Sequence, residues 1–438
     1  MYGSPMEAAE LQEGKDAAAY NMPAREHQVD RTDRLFGPEE AAPPDQRLAR
    51  QLRRLQEVLQ QTGAAAAREV AQQAGLLDGE ATLDKLRRVP LLRKEDLPRV
   101  QAQRWPLGGW VWWERVRRLF VSPGPIVDPE GPGPDYWGCA AALHAAGFRA
   151  GDVVLNTFSY HLTPAAWMMD GGLQVLGAVV IPGGVGNTEI QARAASQLRA
   201  TGYTGTPSFL ATLLQRMDDL ALSVHFQVAL VTAEPLPGSL RVRFEGRGIR
   251  TQQAYGTADV GLVAYECPRK QGMHLLDRCL VELVDPHTHE PVPPGRPGEV
   301  VVTLLDPTYP LLRLATGDVS ILVEQPCPCG RTAPRLAGIL GRVAEAVKVR
   351  GIFVHPGQLR EAASRHPEVQ RFQFVVRRAG DRDQLVARVE AARSDPDLAR
   401  RFAETVQAVT TLRAEVEVLP PGSLGEVERV LVDERRWD

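Results

Sequence analysis

Two kinds of chemistry crowd one stretch of this 438-residue chain, Tyr255 to His274, which reads YGTADVGLVAYECPRKQGMH. Cys267 and His274 stand there with six residues between them, and Cys327 and Cys329 follow as Cys-x-Cys. Thiolates and an imidazole suit a tetrahedral zinc ion, with the two halves supplied by separate loops. Gly272 and Gly330 allow the tight turns such ligands need. Four sulfur and nitrogen donors leave no open coordination position, so the expected zinc is structural, clipping the two loops together. The competing reading is buried free thiols beside an ordinary loop histidine. Cys139 and Cys279 fall in apolar runs and read as core. At the start of the same stretch, Tyr255-Gly256 followed by Asp259 looks like a loop at a nucleotide site.

A second segment, LNTFSYHLTPAAWMMDGG at 155–172, sets Phe158, Tyr160, His161, Trp167 and Met168 around a strand end and the helix after it. Ligands of α/β sheets sit outside the carboxyl ends of strands, and an aromatic lining suits an apolar ligand. Trp167 and Met168 serve equally well as core, and a lone His161 is more often structural than a base.

The elements that must position these groups follow from periodicity. RLFVS, DVVLNTF, AVVIP and VALVT read as strands between 118 and 232, separated by helices such as Tyr136–Ala146 and Thr188–Arg199. That alternation predicts an α/β fold with a largely parallel sheet. Segments after Tyr255 are β-rich, and a small α+β unit begins near 342. The expected organisation is a mostly flexible segment at 1–44, a large domain at 45–341 and a small lid domain at 342–438, hinged near Arg342–Glu345. Leu48, Leu52, Leu55 and Leu59 mark an amphipathic helix at the start of the large domain.

Composition bounds the function. A net charge of −3 gives no case for nucleic acid or an anionic membrane as partner. The chain lacks an apolar run near the roughly 20 residues of a membrane span, and its start lacks a secretory pattern, so the expected location is cytoplasmic. Lysine occurs only at 15, 85, 94, 270 and 348, so any step needing one has few candidates.

Taken in order, KLRRVPLLRKEDL, GNTEIQ (186–191), TGTPSFL (204–210), TAEPLP (232–237), AYGTADVG, ATGD (315–318) and GRVAEAVKVRGIFVHPGQL (341–359) resemble the phenylacetate–CoA ligase branch of the adenylate-forming, AMP-binding superfamily. The resemblance runs from about Lys85 to Arg435. It implies ATP-dependent activation of a small aryl or aliphatic carboxylate as acyl-AMP, then transfer to CoA, with ATP/AMP, Mg²⁺ and CoA as cofactors. By resemblance, Tyr255 packs on adenine within a site that includes Glu234 and Gly256. Asp318 takes the ribose hydroxyls with help from Arg342, and Asp259 stands at the Mg²⁺ position. Lys348 matches the basic residue on the first lid strand that serves thioester formation. Phe158, Tyr160, His161 and Trp167 fall where the acid's pocket is lined. A homodimer is left open.

Several positions depart from the pattern. The phosphate loop, rich in Ser, Thr and Gly in the family, reads VSPGPIVDPEGPGPDYW at 121–137. Its five prolines supply no N–H donor, and Asp128, Glu130 and Asp135 carry the wrong charge for a triphosphate cradle. Ala258 replaces a hydroxyl residue, Ala344 stands at the hinge acid, and Glu426 aligns with the lid lysine, with Arg429 the nearest cation. These departures open two alternatives to the ligase: a binding protein that keeps the fold, and a transferase acting on a preformed acyl-AMP or thioester.

Overall fold

The computed structural model describes residues 29–32, 34–122, 125–349, 352–379, 382–392 and 396–435. Among them, one 13-stranded sheet organises the large unit. One flank holds Val179–Pro182, Val153–Asn156, Gly202–Gly205, Val228–Val231 and Arg250–Thr257, all parallel. Gly261–Glu266, Met273–Leu275, Arg335–Leu336, Leu314–Val323, Pro297–Leu304 and Cys279–Val284 continue it antiparallel. Parallel strands are covered on both faces, which is why Val228–Val231 is apolar throughout and fully buried.

Local signals fix the helices between strands. Pro207–Asp219 opens with Thr206, whose hydroxyl accepts the Phe209 N–H, and with proline in its first turn. Leu210, Leu213, Leu214 and Met217 then bury one face at helical spacing. The helix expected over Tyr136–Ala146 starts later, at Cys139. Gly138 takes a left-handed conformation before it, and the Asp135 carboxylate accepts the Cys139 and Ala140 amides at 2.8 Å each. A cap three residues into the expected helix therefore moves its start.

The segment expected to be a phosphate loop is largely a hairpin. Arg118–Ser122 pairs antiparallel with Ile126–Glu130, setting Val121 opposite Val127 and Phe120 opposite Asp128. A two-stranded ribbon has free edges, so Pro129 costs it no buried ladder bond. The lead into the large unit is also more ordered than its composition suggests. Arg31 meets Asp152 at 2.6 Å, and Glu40 meets Arg331 at 3.2 Å with both side chains largely buried. Thr332 donates its amide to the Glu40 carbonyl at 2.9 Å. Partners so far away in sequence leave no periodicity behind. Residues 1–28 lie outside the described part.

In the small unit, Glu415–Leu419, Arg382–Ala391, Val369–Ala379 and Leu431–Asp433 form a four-stranded sheet under helices Pro356–Ser364 and Pro396–Thr410. Phe374, Leu385, Phe402 and Val406 build its own core. A single turn at Val343–Glu345 leads into it. No described helix is long and apolar enough to cross a membrane.

Candidate active site

The parallel strands end on one side of the sheet, and the expected site residues gather there. Phe158 follows Val153–Asn156, Ser208 follows Gly202–Gly205, and Glu234 follows Val228–Val231. Tyr255 and Gly256 lie near the end of Arg250–Thr257. The Tyr255 hydroxyl donates to Asp318 Oδ2 at 2.9 Å and lies 3.2 Å from Thr316 Oγ1. Arg342 Nε reaches Asp318 Oδ1 at 3.3 Å, because Gly341–Arg342 pairs with Leu314–Val323 and sets Arg342 opposite Asp318. Burial raises the Asp318 carboxyl above the usual range, while the Tyr255 hydroxyl and the Arg342 charge oppose the shift. Burial also holds the Tyr255 phenol well above its ordinary value, so it stays a donor.

Thr316, Gly317 and Asp318 lie within the strand Leu314–Val323, at an irregularity in its pairing with Pro297–Leu304. Gly317 has a φ of +77°, and its amide is 3.2 Å from Glu299 Oε1. Gly256 sits at a bulge beside Gly261, where a Cβ would come 2.5 Å from the Gly261 carbonyl oxygen. Glu234 is exposed and accepts the Ser208 hydroxyl at 2.9 Å.

Asp259 has a fully buried side chain, 2.7 Å from Lys94 Nζ and 3.0 Å from Thr257 Oγ1. Motif reading does not single out Lys94 as a site residue, although the scarcity of lysine is a usable signal. It lines, with Arg93, Ile126, Thr316, Gly317 and Arg342, a cleft of about 470 Å³. Asp128 stands nearby on the hairpin, 2 % exposed. Burial raises its carboxyl to about 7; the Ser122 hydroxyl opposes this, the Asp259 charge adds to it, and Lys94 opposes it. The Ser122 hydroxyl itself is aimed at the Ile126 carbonyl, and neither Asp128 oxygen has a hydrogen-bond partner among the described residues.

The aromatic segment is a connected group. Asn156 donates to the Tyr160 hydroxyl at 3.0 Å, and Tyr160 meets Trp167 edge to face at 5.4 Å. The Arg118 guanidinium lies 4.3 Å over the Trp167 ring while also holding Glu130 through both carboxylate oxygens. Phe158 is buried in the neighbouring core, and His161 is exposed.

Cys267, His274, Cys327 and Cys329 come together from the two expected parts of the chain, with His274 on the strand Met273–Leu275 rather than on a loop. Their ligand atoms all lie within 4.8 Å of one another, three residues buried and Cys329 partly so. Cys267 and Cys327 sulfurs are 3.7 Å apart, and Cys329 Sγ is 3.4 Å from His274 Nε2. Tetrahedral zinc with thiolates at about 2.3 Å would place its sulfurs about 3.8 Å apart. His274 Nδ1 sits 3.2 Å from the Ala333 carbonyl, which leaves Nε2 turned to the thiols. The four donors therefore fit a metal of that kind. Cys139 and Cys279 are buried in the core, as expected.

In the small unit, Lys348 lies on Val347–Val349 opposite Phe353; its side chain is outside the described part. Glu426 and Arg429 are exposed, and Ala344 sits in the single turn at the junction. Glu426 and Arg429 do not line the cleft around Lys94.

The profile described as AMP-binding enzyme matches residues 136–303, and that of the AMP-binding enzyme C-terminal domain matches 351–435. A phenylacetate-coenzyme A ligase of Thermus thermophilus is 32% identical over 392 residues, covering 80% of this chain and 87% of the relative. The chain belongs to the AMP-binding enzyme family. A phenylacetate-coenzyme A ligase of Escherichia coli is 29% identical over 331 residues, 71% of this chain and 74% of that one. Among solved structures, an open conformation of 2-hydroxyisobutyryl-CoA ligase with 2-HIB-AMP and CoA matches with a TM-score of 0.76 at 24% identity, over 90% and 93% of the two chains. The same ligase in its thioesterification state matches at 0.64 and 25%, over 91% and 92%. These likenesses support an AMP-forming acyl-CoA ligase and do not favour the binding-protein or preformed-adenylate readings. ATP, AMP and CoA are consistent with that family.

Proposed function

We propose that this chain activates a small aryl or aliphatic carboxylic acid with ATP and passes the acyl group to CoA. In the first step a carboxylate oxygen attacks the α-phosphorus and pyrophosphate leaves. In the second the CoA thiolate attacks the acyl carbon and AMP leaves. The observation that carries the reading is the contact of Tyr255 and Arg342 with Asp318 near the carboxyl ends of the strands, beside a cleft that Arg342 and Lys94, the partner of Asp259, line with Thr316 and Gly317.

Each residue has a part in it. The Tyr255 hydroxyl holds Asp318 so that its carboxylate can accept the ribose hydroxyls, and Arg342 steadies the same group from the hinge. Glu234 and Gly256 border the base. Asp259 would hold Mg²⁺, whose charge offsets that of the phosphates. Phe158, Tyr160, His161 and Trp167 face the acid, with the Arg118-braced Trp167 as its apolar wall. Residues 342–438 form the lid, and Lys348 enters with the second step.

The Cys267–His274–Cys327–Cys329 cluster holds one structural zinc, which ties the loop after Gly261–Glu266 to the loop after Leu314–Val323. Five cysteines that form no disulfide among the described residues suit a reducing cytoplasm. A homodimer has its surface in Val179, Val185, Ile190 and Leu198, exposed apolar side chains near the open edge of the sheet.

The test is pyrophosphate release with ATP, Mg²⁺ and a panel of aryl and aliphatic acids, followed by acyl-CoA on adding CoA. Release at background for every acid overturns the proposal.

A further inference from the structure

The bulge that carries Asp318 is held by side chains, and one of them, Glu299, has no part in the activity as described. Pro297–Leu304 and Leu314–Val323 pair Glu299 with Val319 and Val301 with Ala315, so Thr316, Gly317 and Asp318 stand together against Val300. A bulge breaks the ladder, and the backbone groups it frees must find other partners. Thr316 Oγ1 donates to the Val300 carbonyl at 3.0 Å and accepts the Asp318 amide at 3.2 Å. The Gly317 amide goes to Glu299 Oε1 at 3.2 Å.

A carboxylate is a costly acceptor to keep there. Glu299 is 1% exposed, and it lines the cleft together with Gly317 and Arg93. Burial pushes its carboxyl up, which the Arg93 charge and the Gly317 amide oppose. Oε2 lies 3.8 Å from the Arg93 guanidinium, and it has no hydrogen-bond partner among the described residues. Arg93 is set there by Leu92–Arg93, which runs parallel to Leu314–Ala315. The hydrogen bond that Glu299 does make is charge-assisted, and it falls on the residue next to Asp318. Tyr255 and Arg342 fix the Asp318 carboxylate, while Glu299 fixes the backbone beside it. Resting on the reading of Asp318 as the ribose acid, we propose that Glu299 is a positioning residue for the nucleotide. It touches no reacting atom; by holding the Gly317 amide it keeps the bulge in the conformation from which Asp318 meets the ribose hydroxyls.

The experiment measures the affinities of the full chain for AMP and for 2′,3′-dideoxy-AMP by calorimetry. E299M and E299A remove the acceptor, and E299Q keeps it without the charge. Met fills the space that Ala leaves open, so either variant that folds gives the comparison, with thermal midpoints reporting folding separately. The unaltered chain is expected to prefer AMP. Loss of the acceptor should weaken AMP binding about tenfold, the scale of a hydrogen bond to a charged group, and leave the dideoxy nucleotide little changed. E299Q should keep most of the preference. Equal losses for the two nucleotides overturn the proposal, because a general loosening of the fold acts on both alike. So does a preference that survives in E299M or E299A, or an unaltered chain that shows none. A loss in E299Q as large as in E299M also overturns it, since the charge and not the Gly317 contact then decides. A preference that depends on Glu299 upholds the proposal even where no acid gives pyrophosphate. Pyrophosphate release with a preference that ignores Glu299 removes the proposal and leaves the ligase reading, so the two fail separately.

Discussion

Tyr255 and Asp318, 63 positions apart, are joined by a hydrogen bond of 2.9 Å that links the last parallel strand to the strand Leu314–Val323. Removing that donor in Y255F keeps the buried ring and leaves the Arg342 charge as the main opposition to burial, so the carboxyl rises further. Hydrogen bonds to charged groups are worth about 1.5–3 kcal/mol, so Y255F should lose stability on that scale in urea unfolding at neutral pH. AMP affinity by calorimetry should fall as well. Unaltered values for both would separate this contact from the site.

Lys94 is the ammonium at Asp259, and K94A leaves a fully buried carboxylate without it. Breaking a buried pair costs about 3–5 kcal/mol, and a partly exposed Lys94 brings the expected loss to about 1–3 kcal/mol. The KM for ATP should rise in K94A by far more than the KM for CoA. Equal changes in the two constants would count against a phosphate-side role.

His355 gives the small unit a pH dependence. Burial lowers its imidazole to about 4, the Glu345 charge opposing. The unfolded chain then binds the extra proton between about pH 6.5 and that lowered value, so stability rises with pH across the interval and is fully present above it. Hydrogen exchange at residues 352–365 should quicken as pH falls from 7 to 4.5, once corrected for intrinsic rates, and H355Q should flatten the dependence. A flat profile in the unaltered chain would disprove it.

Gly205 is packed against the Thr157 and Tyr203 hydroxyls with no room for a methyl group. G205A should cost about 1–3 kcal/mol through overpacking at the end of a central strand. The thermal midpoint reads this directly. A midpoint within error of the parent would mean that Thr157, which bonds Tyr203 at 3.0 Å, moves freely.

Chelation tests the cysteine cluster. Purified chain should carry about one zinc, and stripping it should lower the thermal midpoint and speed proteolysis around 325–333. Metal-free protein of equal stability would leave the four donors as thiols and an imidazole only.

Much of this site can be read from sequence because its motifs are local. Tyr255-Gly256 and ATGD each lie within a few residues, and the cysteine–histidine spacing stays informative across a 60-residue gap. The parallel strands are visible because burial on both faces writes continuous apolar runs such as VALV. Three features are not legible. The hairpin at 118–130 is hidden by its prolines, which a free-edged ribbon tolerates. Lys94 is absorbed into a helix-start motif, since its partner Asp259 lies far along the chain. The order of residues 34–43 depends on Arg331 and Thr332, contacts that no periodicity announces.

Those last contacts have a practical side. The Glu40 carbonyl accepts the amide of Thr332, three residues beyond Cys329, and the Glu40 carboxylate meets both Arg331 and the Tyr265 hydroxyl. A leader of little apparent value is thus a cover stitched over the thiol-bearing loop. Trimming an expression clone back to residue 44 would strip that cover and expose the very cysteines that a shortened, tidier protein is meant to keep from oxidising.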